Sequence, residues 1–191
     1  MSFTPVQVTQ LVQNAILTRL SDATYGLSAA YNVLSLNSAY TLPSEASATG
    51  TINWTVSGPN VAFGRLGAIQ LLNRTSNYAY PFVFIDVVSG SAKFGNERYS
   101  VKSARYSGPM RATIQVVLSW EAQQVTDFAS WPNCVTDCLI ACFNDWTNAY
   151  YWAPGIVYAG ELSFSKSPAA EGGDGWVSVV ECNFALDVEI Q

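Results

Sequence analysis

The stretch 131–191 constrains the fold more than any other part of the chain. Its first part, 131–146, has apolar residues at helical spacing and a proline in the first turn. Two long segments that favour strands, 155–165 and 176–190, follow this part and are separated by a loop rich in glycine. The pattern predicts one helix and then a β-hairpin whose strands are joined by a loop over 166–175, with a flexible tip at the Gly-Gly-Asp-Gly segment 172–175.

The N-terminal region carries a second helical pattern. Thr4 is a good capping residue, Pro5 suits the first turn, and Gln7 completes a capping box. The helix is predicted to end at 20–22 and to pack on a sheet through one apolar stripe. This stripe consists of Val8, Leu11, Val12, Ala15, Ile16 and Leu20.

Strand patterns dominate the region between the two helices. The segment 78–88 is apolar almost throughout, which is typical of a strand covered on both faces, although Pro81 indicates an edge or a bulge. Gly108 and Pro109 predict a turn that leads into 111–121, where apolar and polar residues alternate. We expect the polar side of that strand to be solvated or to lie in an interface. The predicted strands cover 31–36, 49–57, 65–72, 78–88, 98–105 and 111–121.

These elements predict an α+β fold, in which a mainly antiparallel sheet has two helices packed on one face. The 191 residues, of which 49% are hydrophobic, are expected to form a single domain over 1–191, with 23–108 as a possible β-rich elaboration. The first residues carry no basic and apolar leader, and no apolar run reaches the ~18 residues of a membrane span. We therefore expect neither a secretory signal nor a membrane partner.

The charged residues are few and unevenly distributed. They make up 12% of the chain, and the net charge of −5 combines two opposite regions. Residues 65–111 carry seven bases against two acids, whereas residues 112–191 carry one base against ten acids. Opposite charges on two regions suit head-to-tail contacts between identical subunits. The alternative is that both sets are scattered over one solvated surface.

The chain lacks the residues of the common catalytic sites. It contains no histidine, which excludes Ser-His-Asp and Cys-His sites, and it has no P-loop, dinucleotide fingerprint or nucleophile elbow. Acidic residues could supply a glycosidase pair, but several of them alternate along strands as a solvated face does. We therefore predict no enzyme, no catalytic residue and no cofactor. The candidate acids are Glu121, Asp127, Glu161, Glu181, Asp187 and Glu189.

Four cysteines leave three interpretations open. Cys134, Cys138 and Cys142 lie at i, i+4 and i+8 on one helical stripe, and Cys182 lies on the apolar side of a later strand. They could hold a metal as thiolates, although zinc ligands are usually spaced around a turn rather than along a helix. Cys182 could also form a disulfide with a helix cysteine. The interpretation that we adopt is small buried hydrophobic residues with no bound metal.

Several pieces of the chain occur in an order that a known family shares. They are 15–20, which ends in Arg19-Leu20, the strand 111–121 with its Ser-Trp-Glu end, the helix 131–146, and the hairpin strands 155–165 and 176–190. This order resembles the tail terminator, or tail-completion, proteins of long-tailed bacteriophages. In that family an N-terminal helix that ends in an Arg-Leu pair precedes an antiparallel sheet, a second helix and a C-terminal hairpin. The region 23–108 holds more strand than the family plan needs.

The resemblance implies a structural virion protein, made in the host cytoplasm, that forms a homo-oligomeric ring, commonly a hexamer. Such a ring caps the tail tube and joins it to head–tail connector proteins, and viral DNA passes through its lumen without sequence-specific binding. Acidic residues that face the lumen would not grip DNA. Two alternatives stay open: another neck, tube or minor tail protein, and a carbohydrate-binding β-module. The interface or lumen candidates are Arg98, Lys102, Arg105, Arg111, Glu171, Asp174, Asp187 and Glu189.

Overall fold

The computed structural model describes eight stretches of the chain. They are 8–37, 61–64, 82–90, 106–121, 130–143, 156–167, 170–172 and 175–190. The predicted strands 49–57, 65–72 and 98–105, as well as Pro81, lie outside the described residues.

Within these stretches the chain forms three helices and six strands. The helices are α1 (Val8–Leu20), α2 (Leu27–Leu36) and α3 (Ser130–Phe143). The strands are β1 (Val61–Phe63), β2 (Phe82–Gly90), β3 (Tyr106–Glu121), β4 (Ile156–Lys166), β5 (Ala170–Gly172) and β6 (Gly175–Ile190).

The six strands belong to one sheet, in the order β1-β2-β3-β6-β4, with β5 also paired to β6. β1 pairs with β2 in parallel, and the other described pairs are antiparallel. The long strands β3 and β6 pair over their whole length, from Tyr106 opposite Ile190 to Glu121 opposite Gly175. The predicted α+β class with a mainly antiparallel sheet is confirmed.

Four of the predicted strands are found with shifted ends. The segments 111–121, 155–165 and 176–190 become β3, β4 and β6, and 78–88 becomes β2. In β2 four consecutive residues, 82–85, are buried. Because successive side chains point to opposite faces, this burial means that β2 is covered on both faces, as predicted.

The turn predicted at Gly108 and Pro109 is wrong, because β3 runs through both residues. They pair within the sheet with Val188 and Asp187 of β6. β2 ends opposite Met110, so at Pro109 the described sheet has a neighbour on one side only. A proline is tolerated at such a position because no ladder N–H is required on the open side.

The loop predicted over 166–175 is shorter than expected, because part of it is strand. β4 continues to Lys166, and the three residues of β5 pair with 175–177 at the start of β6. The predicted hairpin is therefore present, and the connection from β5 to β6 is confined to 173–174, which lie outside the described residues.

The strand predicted at 31–36 is also wrong, because the structure has helix α2 there. Leu27, Ala30 and Leu34 recur at helical spacing, and they are buried or partly buried in the core. Val33 on the same helix is 68% exposed. Because apolar residues lie on both the buried and the exposed side of α2, the sequence showed no clear helical period.

A tight turn over 22–26 joins α1 to α2. Oδ1 of Asp22 accepts hydrogen bonds from the backbone N–H groups of Thr24 and Tyr25, both at 2.8 Å. These bonds hold the pKa of the Asp22 carboxyl below its ordinary value. A Cβ atom on Gly26 would lie 2.3 Å from the carbonyl oxygen of Asp22, so only glycine fits at the entry to α2.

The main hydrophobic core joins the helices to the sheet. α1 contacts β2, α3 contacts β6, and α2 contacts α3. The predicted stripe of α1 is confirmed at Val12, Ala15, Ile16 and Leu20, which are all buried. Leu11 is 45% exposed, because it lies just beyond the edge of the buried arc of the helix. That the helices share one face of the sheet stays a prediction.

Candidate functional site

A row of polar side chains crosses the middle of the sheet. The strand register places Asp86, Thr113, Asn183 and Ser163 side by side on β2, β3, β6 and β4. They lie on the side of β3 opposite to its main core residues, because side chains alternate along a strand. We name this surface the polar face. Its described members are Asp86, Arg111, Thr113, Gln115, Ser163, Glu181, Asn183 and Asp187.

Hydrogen bonds connect four side chains of the polar face. Oγ1 of Thr113 donates to Oδ1 of Asn183 at 2.5 Å, and Nδ2 of Asn183 donates to Oε1 of Glu181 at 3.1 Å. Nε2 of Gln115 donates to the other carboxylate oxygen of Glu181 at 3.0 Å. The network therefore orients two amides and one hydroxyl around a single carboxylate.

The polar face is less solvated than the sequence predicted. Thr113 is 2% exposed and Gln115 is 6% exposed. Arg111, which lies two positions before Thr113 on β3, is exposed. Burial of the two polar residues is tolerated because their hydrogen bonds replace those to water. One acceptor is left over: Oε1 of Gln115 is buried and has no hydrogen-bond partner.

A cavity of about 290 Å³ lies on the polar face between β2 and β4. Its lining combines one guanidinium, two hydroxyls, one amide and three apolar residues, of which Phe184 has its side chain in the main core on the other face of the sheet. The lining residues are Val88, Arg111, Thr113, Ser163, Asn183, Phe184 and Ala185. A mixture of apolar walls and a few convergent polar groups is typical of ligand sites, although this cavity is at the small end of their range.

The same side of the sheet is apolar at its other end. Phe82, Phe84, Val117 and Val177 form a second hydrophobic cluster, and each of them is at most 4% exposed. The ring centroids of the two phenylalanines are 4.7 Å apart. The polar network is thus bounded by a dry cluster on one side and by the cavity on the other.

The structure brings two of the predicted interface or lumen residues to one place. Arg111 and Asp187 are both exposed, and Asp187 lies opposite Pro109, two positions along β3 from Arg111. Glu171 and Glu189 lie in β5 and β6, but their side chains are outside the described part. The other candidates, Arg98, Lys102, Arg105 and Asp174, lie outside the described residues.

The acids considered for glycoside cleavage do not form a pair where they are described. Glu181 and Asp187 both lie on β6, six residues apart, which is about 20 Å along a strand. Glycosidase carboxylates are about 5–9.5 Å apart. Glu181 is also held by the amides of Gln115 and Asn183. For the remaining candidates, Glu121, Asp127, Glu161 and Glu189, the side chains lie outside the described part.

None of the four cysteines forms a disulfide, and all four are buried. A hydrogen bond with the thiol of Cys134, together with burial, raises the pKa of Cys138 well above its ordinary value. Burial raises the pKa of Cys142 and of Cys182 to about 12. These thiols are therefore neutral at physiological pH, which is unfavourable for thiolate ligands or nucleophiles. Among the described residues no cluster of histidine, cysteine or acidic groups is placed to hold a metal ion.

Arg19 is a buried charge whose structural role the sequence pattern did not reveal. Only 9% of this residue is exposed, and its Nε donates a 2.7 Å hydrogen bond to the carbonyl oxygen of Cys142, in the last turn of α3. The guanidinium lies 4.9 Å from the ring centroid of Tyr25. Its Nη2 is buried without a hydrogen-bond partner. A cation at this end of a helix satisfies a free carbonyl and complements the helix dipole.

No protein-family model matches this chain, and no curated protein is significantly similar to it. Within the described ranges, none of the helices combines the length and the apolar character that crossing a bilayer requires. The functional interpretation therefore rests on the fold and on the polar face.

Proposed function

We propose that the protein is a structural virion protein, a tail terminator-like subunit of a ring that joins a phage tail tube to the head–tail connector. The observation that carries this proposal is the order of elements: α1 comes first, the antiparallel pair of β2 and β3 follows, then α3, and then the hairpin of β4 and β6. This order supports the resemblance drawn from the sequence. The helix α2 and the short strand β1 are additions to that plan.

The charges of the polar face support contacts between copies of the chain. Arg111 and Asp187 are exposed, carry opposite charges and lie two register positions apart. A head-to-tail contact joins two different patches of identical subunits, so exposed groups of both signs suit it. The proposal places the ring in the virion, with the tail tube protein and the connector as its partners.

The mass of the purified protein tests the ring. Light scattering coupled to size exclusion is expected to give a multiple of the 20.7 kDa subunit, and negative-stain images should show closed particles with a central hole. The measurement should cover a range of concentrations and include a mixture with the tail tube protein, because some subunits assemble only on a partner. A mass of one subunit under all of these conditions would contradict the proposal.

A charge reversal at Asp187 tests whether the polar face lines the DNA channel. In a ring that exposes Asp187 to the lumen, Asp187→Lys is expected to tighten binding to double-stranded DNA and to steepen its salt dependence by about 0.9 logarithmic units per new phosphate contact. The measurement is fluorescence anisotropy of labelled DNA over a salt series. The matched control is the double variant Asn14→Lys and Thr18→Lys, which adds the same charge at exposed positions of α1.

Both variants change the net charge by the same amount. A difference between their DNA affinities therefore reports where the new positive charge lies. Tighter binding by Asp187→Lys and not by the control supports a position in the lumen. Equal DNA affinities of the two variants would place Asp187 on the outer surface and overturn the lumen assignment, while the ring itself would still be judged from the particle mass.

A further inference from the structure

Helix α2 is apolar on the side that faces away from the main core. Leu27 and Ala30 are buried, and Leu34 packs against that core. On the opposite side Val33 is 68% exposed and Leu36 is 86% exposed. Because a helix that is apolar all round is normally buried on every side, the outer side of α2 is expected to lie in a contact.

The surface around this side of α2 carries no charge. α2 contains no charged residue, and none of the exposed residues of 8–37 is charged. The charged residues of this range are Arg19, which is buried, and Asp22, whose carboxylate is bonded within the turn between α1 and α2. Protein surfaces commonly carry charges at about 25–35% of their residues. A lack of charge is typical of the centre of a protein–protein interface, and it disfavours DNA or any partner that binds through charge.

The outer side of α2 complements a second copy of itself in shape. Ala29, Val33 and Leu36 lie at i, i+4 and i+7 and therefore form one stripe, which we name the α2 stripe. Two such helices can pack antiparallel about a two-fold axis between positions 32 and 33. In this alignment Leu36 of each copy lies opposite Ala29 of the other, and the two Val33 residues meet at the axis. A large side chain thus faces a small one at both ends of the contact.

We propose that the α2 stripe is a self-association surface, through which two copies of the chain pair antiparallel about a two-fold axis. Ser28 and Asn32 lie beside the stripe and are exposed. Their hydroxyl and amide groups can both donate and accept, so they can form hydrogen bonds with the same groups of another copy. A two-fold contact sets a surface against itself, and the absence of charge removes the like-charge repulsion that such a contact can otherwise carry.

The size of α2 limits the affinity of the pair. The helix has 10 residues and is therefore about 15 Å long. One side of such a helix is smaller than the ~800 Å² per partner that stable complexes bury, so the Kd is expected to be about 0.1–1 mM. This inference does not depend on the proposed ring. A two-fold contact does not close a ring of head-to-tail contacts, and between rings it would join two of them face to face.

Disulfide crosslinking tests the antiparallel alignment. At a protein concentration near the expected Kd, Val33→Cys is expected to form a covalent dimer with oxidised glutathione, because its two copies lie about 1.5 Å apart along the helix axis. Leu36→Cys is the matched control, since it is exposed on the same stripe but its two copies lie about 10 Å apart along the axis, beyond the reach of a disulfide. A mixture of Ala29→Cys and Leu36→Cys is expected to give a crosslink that neither variant gives alone. The four native cysteines are buried in the core.

Two charge variants separate self-pairing from a loss of stability. Val33→Asp and Val33→Lys each place like charges at the two-fold axis, so each alone is expected to weaken self-association at least about tenfold. An equal mixture of the two is expected to restore association, because opposite charges then meet at the axis. The measurement is sedimentation equilibrium over a concentration series that brackets the expected Kd. Thr9→Asp, at an exposed position of α1, is the matched control and is expected to associate as the unmodified protein does.

Two results would overturn the proposal. One is the absence of a Val33→Cys dimer, or equal crosslinking of Val33→Cys and Leu36→Cys, which would indicate random collisions. The other is a Val33→Asp protein that is less stable to urea but associates as the unmodified protein does, which would show that another part of the same chain covers the stripe. Neither result bears on the ring, because closed particles of the unmodified protein and of Val33→Asp would still support it.

Discussion

Raising the pH of the reduced protein above about 9 is expected to lower its free energy of unfolding by about 1.4 kcal/mol per pH unit for each buried thiol. The pKa values of Cys142 and Cys182 are raised by burial from an ordinary 9.0 to about 12. Between these values the unfolded chain releases its thiol protons and the folded chain keeps them. The unfolded state is therefore favoured increasingly as the pH rises through this window.

Below pH 9 the same thiols are protonated in both states, so their contribution to stability is fully present there. Two such thiols lower the free energy of unfolding about twice as much as one does. Over the whole pH window this decrease is large compared with the usual stability of a domain. Cys138 shifts in the same direction, because its hydrogen bond with Cys134 and its burial both favour the protonated form. The thiols that are expected to lower the stability at alkaline pH thus lie where α3 packs against β6.

Urea unfolding at about pH 8, 9 and 10, with a reductant present, measures this effect. The variant Cys142→Ala with Cys182→Ala is expected to be less stable at every pH because it leaves cavities in the core. Its free energy of unfolding should nevertheless fall less steeply with pH than that of the unmodified protein, because two titrating groups are absent. Tyrosine and lysine titrations are common to both proteins. Parallel pH profiles would show that these thiols do not carry the effect.

Replacing Arg19 with methionine is expected to lower the free energy of unfolding by about 2–3 kcal/mol. The substitution removes a charged hydrogen bond and leaves the carbonyl oxygen of Cys142 buried without its donor. It also removes the cation–π contact with Tyr25. Release of the unpaired Nη2 offsets part of this loss, because that group is buried at a cost in the folded protein.

The measurement is again urea unfolding, at one fixed protein concentration because assembly would add to the apparent stability. Arg111→Met is the matched control, since Arg111 is exposed on β3, and it is expected to change stability by less than about 1 kcal/mol. Arg19→Lys keeps the charge but loses the planar guanidinium, so it should fall between the two. Equal stability of Arg19→Met and Arg111→Met would refute a structural role for the buried guanidinium.

Local periodicity was sufficient to predict the elements whose apolar residues lie on one side. The stripe of α3 and the alternation in β3 and β6 are of this kind, and all three elements are found close to their predicted positions. Helix α2 was missed because Val33 is apolar and exposed. Gly108 and Pro109 are strong turn signals, yet pairing with β6 keeps both in a strand. In that case long-range hydrogen bonding overrides a local preference.

The candidate site could be predicted only in part, because it is assembled by register. The sequence shows that Thr113 and Gln115 alternate with apolar residues, but not that Asn183 and Glu181 lie opposite them. The partner of Arg19 is equally remote, since Cys142 is 123 positions away along the chain. Which residues meet across such separations is determined by the packing of the whole domain, and no local spacing encodes it.

The full-length pairing of β3 with β6 has a consequence for folding kinetics. Thr113 and Asn183, which meet in the middle of this ladder, are separated by 70 positions, and α3, β4 and β5 all lie in the intervening chain. The chain between the two strands must close into a loop, at a cost in conformational entropy, before the hydrogen bonds of the ladder can compensate for that cost. We therefore expect the folding rate to be limited by the search for the correct alignment of these two long strands, and not by formation of the helices. Folding is expected to take milliseconds to seconds, which is typical of sheets whose paired strands are distant along the chain.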